Sequence, residues 1–201
     1  IAARDNWLSS PGTVQPSHAL MYISALQCPE EYDRVTTYFE RSPYGVDLSA
    51  LRTAMISEVS VEIVDPEAIV GGPVALKEIN MNTIKAEELA DITCSWEITF
   101  PKEASQGIHG LCIHFDVEFR TDDSKVVISR MTTSPSSKPT HWKQTVLYFD
   151  HPTRAVKEGE MMVGRVRFIS GRSGPHDLDV ELDCWFASDP AMLLAHKKYT
   201  V

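Results

Sequence analysis

No apolar run in the 201 residues approaches the roughly 18 needed to cross a bilayer as a helix. A basic leader followed by an apolar stretch is absent too, so the sequence gives no reason to expect secretion or a membrane. The four cysteines, Cys28, Cys94, Cys112 and Cys184, are scattered without a Cys-x-x-Cys pair, which argues against a zinc site built from them. They read instead as small buried hydrophobes, reduced thiols of a cytoplasmic or nuclear protein. Positive charge is in deficit: 19 Lys and Arg against 28 Asp and Glu leave −9, which argues against nucleic acid as a direct partner.

Phosphate chemistry lacks its usual signature. The pairs Gly71-Gly72, Gly107/Gly110 and Gly171/Gly174 sit in turn contexts between strands, and no Gly-x-Gly-x-x-Gly loop opens a helix. There is no Gly-x-Ser-x-Gly elbow and no His-Glu-x-x-His pair. His109 and His114 are five apart and point to opposite faces of a strand, so they do not form a ligand pair. No complete active site is legible, no metal is expected, and the chain alone is expected to bind no cofactor.

What the chain does have is alternation. In "LCIHFDVEF", Leu111, Ile113, Phe115, Val117 and Phe119 share one face, and Cys112, His114, Asp116 and Glu118 the other. "CSWEITF" and "DLDVELDCWF" alternate likewise, over residues 94–100 and 177–186. Weaker strands are predicted over 19–26, 58–64, 74–81, 126–131, 142–149 and 162–169. Nine or so short strands between Pro, Gly, Ser and Asp clusters predict a mostly β protein, an antiparallel barrel or sandwich. The polar faces of the long strands are expected to meet water, as in antiparallel sheets covered on one side.

Two stretches break the pattern. "CPEEYDRVTTYFERSPYG" places Tyr32, Val35 and Phe39 at helical spacing behind a first turn of acids. "DLSALRTAMI" opens on Asp47 where an N-cap belongs. Tyr32, Tyr38, Phe39 and Tyr44 cannot share one helix face, so this excursion is predicted to be an arm burying several faces against another chain. From Cys28 to Glu67, nine acids face three arginines, a local net of −6. That surface is either simply solvated or attracts basic partners. The opening "IAARDNWL" reads as the last turns of a helix, with Ile1, Trp7 and Leu8 wanting apolar cover, as in part of a longer protein.

The stretch "MTTSPSSKPTHWKQTVLYFD" resembles the C-terminal half of the protein arginine N-methyltransferases. "ARDNWLSSPGTVQP", "SPYGVDLSAL", "VEIVDPEAIV", "HGLCIHFDVEF" and "HDLDVELDCWF" resemble the same family, in its order and spacing. One departure stands out: Pro139 directly precedes Thr140, which shifts the expected pose of Lys138. The resemblance implies residues 1–18 as the end of a connector from a Rossmann-like cofactor domain. It implies 19–27 and 46–201 as a β-barrel, and 28–45 as a dimerisation arm carrying Tyr32, Tyr38, Phe39 and Tyr44. It implies that His141 orients a carboxylate of the catalytic domain, while Thr140 and Trp142 line the groove for the substrate arginine. The Thr-His-Trp form resembles the enzymes that make asymmetric dimethylarginine from S-adenosyl-L-methionine, acting on basic Arg-containing proteins as homodimers or heterodimers. Two other readings stay open: an inactive paralogue that regulates or scaffolds an active subunit, and an unrelated β-barrel binding module.

Overall fold

The computed structural model describes residues 1–38, 45–121, 125–170 and 178–200. Helix α1 (Ala2–Trp7) leads into β1 (His18–Leu26), followed by helices α2 (Pro29–Thr36) and α3 (Leu51–Ser57). Then come β2 (Ser60–Glu62), a 3₁₀ turn, β3 (Ile69–Asn80), α4 (Ala86–Ala90), β4 (Asp91–Thr99), β5 (Gly110–Arg120) and β6 (Val127–Thr132). β7 (Gln144–Tyr148), β8 (Met161–Ser170), β9 (Leu178–Phe186) and β10 (Leu193–Thr200) complete the chain.

Every pairing is antiparallel. One sheet runs β2-β7-β5-β1-β3, with β6 also paired to β5, and the other β10-β9-β8-β4. The predicted antiparallel β architecture is therefore what forms. Odd-numbered residues of β5 and β1 face inward: Leu111, Ile113, Ile23 and Ala25 meet Trp96, Ile98, Val166 and Leu182 of the second sheet in one buried core. Gly71 lies where a Cβ would fall 2.6 Å from Ile98 Cγ2, so β3 can fold over onto the second sheet only with glycine there. Register shifts interrupt the β1–β3 ladder at Met21/Tyr22 and on either side of Ala25, the irregularities at which antiparallel strands bend. Gly164 serves the same purpose under the Trp96 ring, 2.4 Å from a would-be Cβ.

A second cluster lies on the outer face of the first sheet. Tyr32 of α2 and Ile56 of α3 cover Leu26, Cys112, Val146 and Tyr148. All four cysteines are buried free thiols, and burial pushes Cys28, Cys112 and Cys184 up to about 12.

The structure departs from several sequence expectations. β10 was not predicted, because "LLAHKKYT" has two consecutive lysines where alternation should show. α4 was not predicted either; it is a single turn held by Glu88, whose carboxylate accepts from Lys85 N at 3.0 Å. Asp47 does not cap α3: its Oδ1 accepts from Ser49 N at 2.9 Å in a local turn, and the helix starts at Leu51. The strand predicted over 58–64 shrinks to Ser60–Glu62, and that predicted over 142–149 starts only at Gln144, leaving Trp142 in the preceding turn. The polar side of β5 is buried instead of solvated. Trp7 of α1 is 81% exposed.

Candidate functional site

The loop between β6 and β7 carries the Thr-His-Trp sequence, and its two ends are pinned before it can wander. Thr133 N and Thr133 Oγ1 both donate to Phe115 O at 2.9 Å, while Phe115 N donates to Thr133 Oγ1 at 2.9 Å. Gln144 bridges the other end, donating from Nε2 to Thr133 O at 2.6 Å and accepting from Val64 N at 2.9 Å. Thr133 and Gln144 are buried, so these bonds form away from competing water. Between them Ser137 N closes a turn on Ser134 O at 3.0 Å, over a buried Pro135.

The tip is a second turn, Lys143 N to Thr140 O at 3.2 Å. Lys143 has φ of 54°, a left-handed conformation uncommon outside glycine and asparagine. Trp142 is 55% exposed and rests edge-on against Phe115, ring centres 6.4 Å apart. His141 is exposed, 6.2 Å from the Trp142 ring centre at a steep angle. The Thr140 hydroxyl is buried without a partner. Thr140, His141 and Trp142 thus sit together on one short turn that presents an imidazole and an indole face outward. Such a pair can hydrogen-bond a carboxylate and flank a planar cation. Lys138 and Pro139 are exposed just upstream, and His151 is exposed beyond the end of β7.

Beside the loop, on the outer face of β5, lies a cluster that sequence reasoning took for a solvated face. Glu118 is fully buried. It accepts from Arg120 Nε at 2.7 Å and from Arg130, while Arg120 also pairs with Glu78 at 2.7 Å. Burial alone would push the Glu118 carboxyl up; the two guanidiniums outweigh it and hold it below the usual carboxylate value. His114 stacks on Tyr22, ring centres 5.0 Å apart, and burial lowers its pKa against the opposing pull of Asp116. Arg120 and Arg130, spaced to reach one buried acid from two strands, were the available signal. Nothing local in the sequence says that the face is covered.

The predicted arm residues divide. Tyr32 is buried within its own chain, donating to Phe149 O at 3.0 Å and Asp150 O at 2.8 Å, and lies edge-on to Tyr148 and His109. It roots the arm on the barrel and is 4% exposed within its own chain. Tyr38 is 49% exposed. Phe39 and Tyr44 lie outside the described residues. Among the described residues no three His, Cys, Asp or Glu side chains converge as a metal site requires.

Residues 17–189 match the family model of the arginine methyltransferase oligomerization subdomain. The chain is 31% identical to the "Probable protein arginine N-methyltransferase 6.1" of Oryza sativa subsp. indica, over 90% of this chain and 54% of that one. It is 30% identical to "Protein arginine N-methyltransferase 1" of Dictyostelium discoideum, over 93% and 52%. It spans about half the length of the curated relatives it matches. Among solved structures it is similar to a chain of the Trypanosoma brucei PRMT1 enzyme-prozyme heterotetrameric complex with AdoHcy, at 26% identity and a TM-score of 0.82, covering 99% of this chain and 61% of that one. Arabidopsis thaliana protein arginine methyltransferase 10, at 22% identity and a TM-score of 0.76, shares the fold over 99% of this chain and 64% of that one.

Proposed function

This chain belongs to the arginine methyltransferase oligomerization subdomain family, and from that premise we propose that it is the barrel half of an S-adenosyl-L-methionine-dependent protein arginine N-methyltransferase making asymmetric dimethylarginine. The observation that carries the reading is the pinned turn at Thr140-His141-Trp142, which holds an imidazole and an indole outward where a second domain can meet them. In this reading His141 fixes the geometry of a carboxylate on that domain, and Trp142 and Thr140 line the groove for the substrate guanidinium. The substrates are basic Arg-containing proteins, the enzyme works as a homodimer or heterodimer through its arm, and it acts in the cytoplasm or nucleus.

The described residues of this chain do not fit the cofactor. Of the positive-φ glycines Gly45, Gly72, Gly107 and Gly159, only Gly45 precedes a helix, and it stands alone well upstream of Leu51 with no second glycine to form a phosphate-type loop. The recess lined by both sheets behind Trp142 is walled almost wholly by hydrocarbon, with no cradle for a sulfonium or an adenosine. In this reading the methyl donor belongs to a separate domain, and no chemical step is assigned to residues here beyond positioning and substrate binding. Calorimetric titration tests this. S-adenosylmethionine should bind the full-length protein, and this chain no tighter than roughly millimolar, near −4 kcal/mol; tighter binding by the chain alone contradicts the division of labour.

A second reading rests on the likeness to a chain of an enzyme-prozyme complex: the parent is an inactive paralogue that completes a dimer with an active subunit. Purified parent protein that methylates an Arg-rich peptide without a second subunit excludes it. Activity seen only after adding a related subunit establishes it.

A further inference from the structure

Behind Trp142 the two sheets splay apart and leave a cavity of about 410 Å³, open on the side of the Thr-His-Trp turn. Its walls come from both sheets: Met21, Ile113 and Phe115 from one, Ile92, Phe168 and Val180 from the other. Thirteen of its sixteen lining residues are apolar, and none is acidic. Of the three polar ones, His114 turns its ring to Tyr22 on the other face of β5. That leaves Lys143, adjacent to Trp142 in the turn, and Thr145 at the start of β7 as the polar lining groups. In a chain of net charge −9, a deep hydrocarbon recess whose one formal charge is a lysine at its opening is selective by construction.

We propose that this cavity binds a medium-chain fatty carboxylate, its alkyl chain between the sheets and its carboxylate on Lys143 and Thr145. Size and lining suit such a ligand: pockets of a few hundred Å³ hold small molecules, and apolar cavities stay dry and take up apolar guests. Lys143 is also the only non-glycine residue with positive φ among the described residues. The left-handed backbone there, held by the Thr140 carbonyl, fixes the direction in which the lysine side chain leaves the turn. Trp142 roofs the cavity through Phe115, so an occupant sets the pose of the indole.

The test is isothermal calorimetry on the full-length protein with decanoate, octanoate and decanol, a measurement independent of any methyltransferase activity. Each methylene buried is worth about fourfold in affinity, so decanoate should bind roughly fifteenfold tighter than octanoate. Decanol, without the charge, should bind about tenfold weaker than decanoate. Lys143→Gly removes the amine while suiting the left-handed backbone, and should bring decanoate down to the level of decanol. Ala19→Phe fills the recess from β1 and should abolish binding of both. Absence of saturable decanoate binding overturns the proposal. So does equal affinity for octanoate and decanoate, or undiminished decanoate binding by Lys143→Gly. If Ala19→Phe does not fold, the chain-length series and Lys143→Gly decide alone.

Discussion

β5 and β9 carry nearly the same pattern, acids alternating with hydrophobes, and end in opposite environments. On β9 the acids stay within reach of water and are matched across strands: Asp179 with Lys198, Glu181 with Arg167, Asp183 with Arg165 and His196. On β5, His114, Asp116 and Glu118 are at most 6% exposed, and Glu118 is held between two arginines. Period two says which residues share a face. It does not say whether something else in the chain covers that face, and here the Arg130 side chain and the loop after β6 lie beside β5.

The sharpest way to break the comparison is to delete one acid from each strand. Glu118→Ala removes the buried carboxylate that Arg120 and Arg130 share, leaving them Glu78 and Asp116, and should cost about 2 kcal/mol or more in unfolding free energy. Glu181→Ala, on a pair about two-fifths exposed on both sides, should cost less than about 1 kcal/mol. Chemical denaturation of the two variants checks both; equal losses would mean that the β5 face is no more buried than the β9 face.

The arm gives the next largest contrast. Tyr38→Ala should weaken self-association or association with a related subunit by about 2 kcal/mol, read by sedimentation of the full-length protein. Tyr32→Phe should act on folding instead. It loses a buried hydroxyl shared by two carbonyls and should cost about 1 kcal/mol of stability without changing the association constant.

Acid titration sharpens the same picture. His109 and His114 have pKa values lowered by burial, so the unfolded chain takes up their protons first. Their contribution is present in full above the ordinary histidine pKa of about 6.5 and declines as pH falls below it. Glu118, whose pKa is depressed in the fold, contributes fully above the ordinary glutamate value of about 4.3 and loses that contribution as pH falls through its folded value. Thermal midpoints should therefore fall in two stages on acidification, and Glu118→Gln should flatten only the lower one.

Much of the architecture was legible because alternation is a local property. The core residues of β4 and β9 are those that their patterns name; on β5 the pattern holds only at Leu111 and Ile113, and Phe115, Val117 and Phe119 are half-buried. What escaped was set at long range or by short polar bonds. β10 is an edge strand whose Lys197 reaches Asp150 and the Tyr148 carbonyl, so its inward face does not look apolar. Trp142 reads as the first residue of a strand because aromatics favour strands, but the left-handed turn at Lys143 separates it from β7. For the site, residue types and spacing named His141 and Trp142 only through resemblance; the structure adds the Thr133 and Gln144 pins, whose bonds join residues with no sequence pattern linking them.

Turnover of the full-length enzyme with His141→Ala is the most direct test of the central claim, that the Thr-His-Trp turn is a working surface of a methyltransferase. His151→Ala, exposed past the end of β7, is the control. The account predicts a loss of about ten- to a thousandfold for His141→Ala, or about 1.4–4 kcal/mol of transition-state stabilisation. The thermal midpoint should barely move, and His151→Ala should stay near wild-type activity. Full turnover in His141→Ala, or a loss that merely follows unfolding of the barrel, would contradict it.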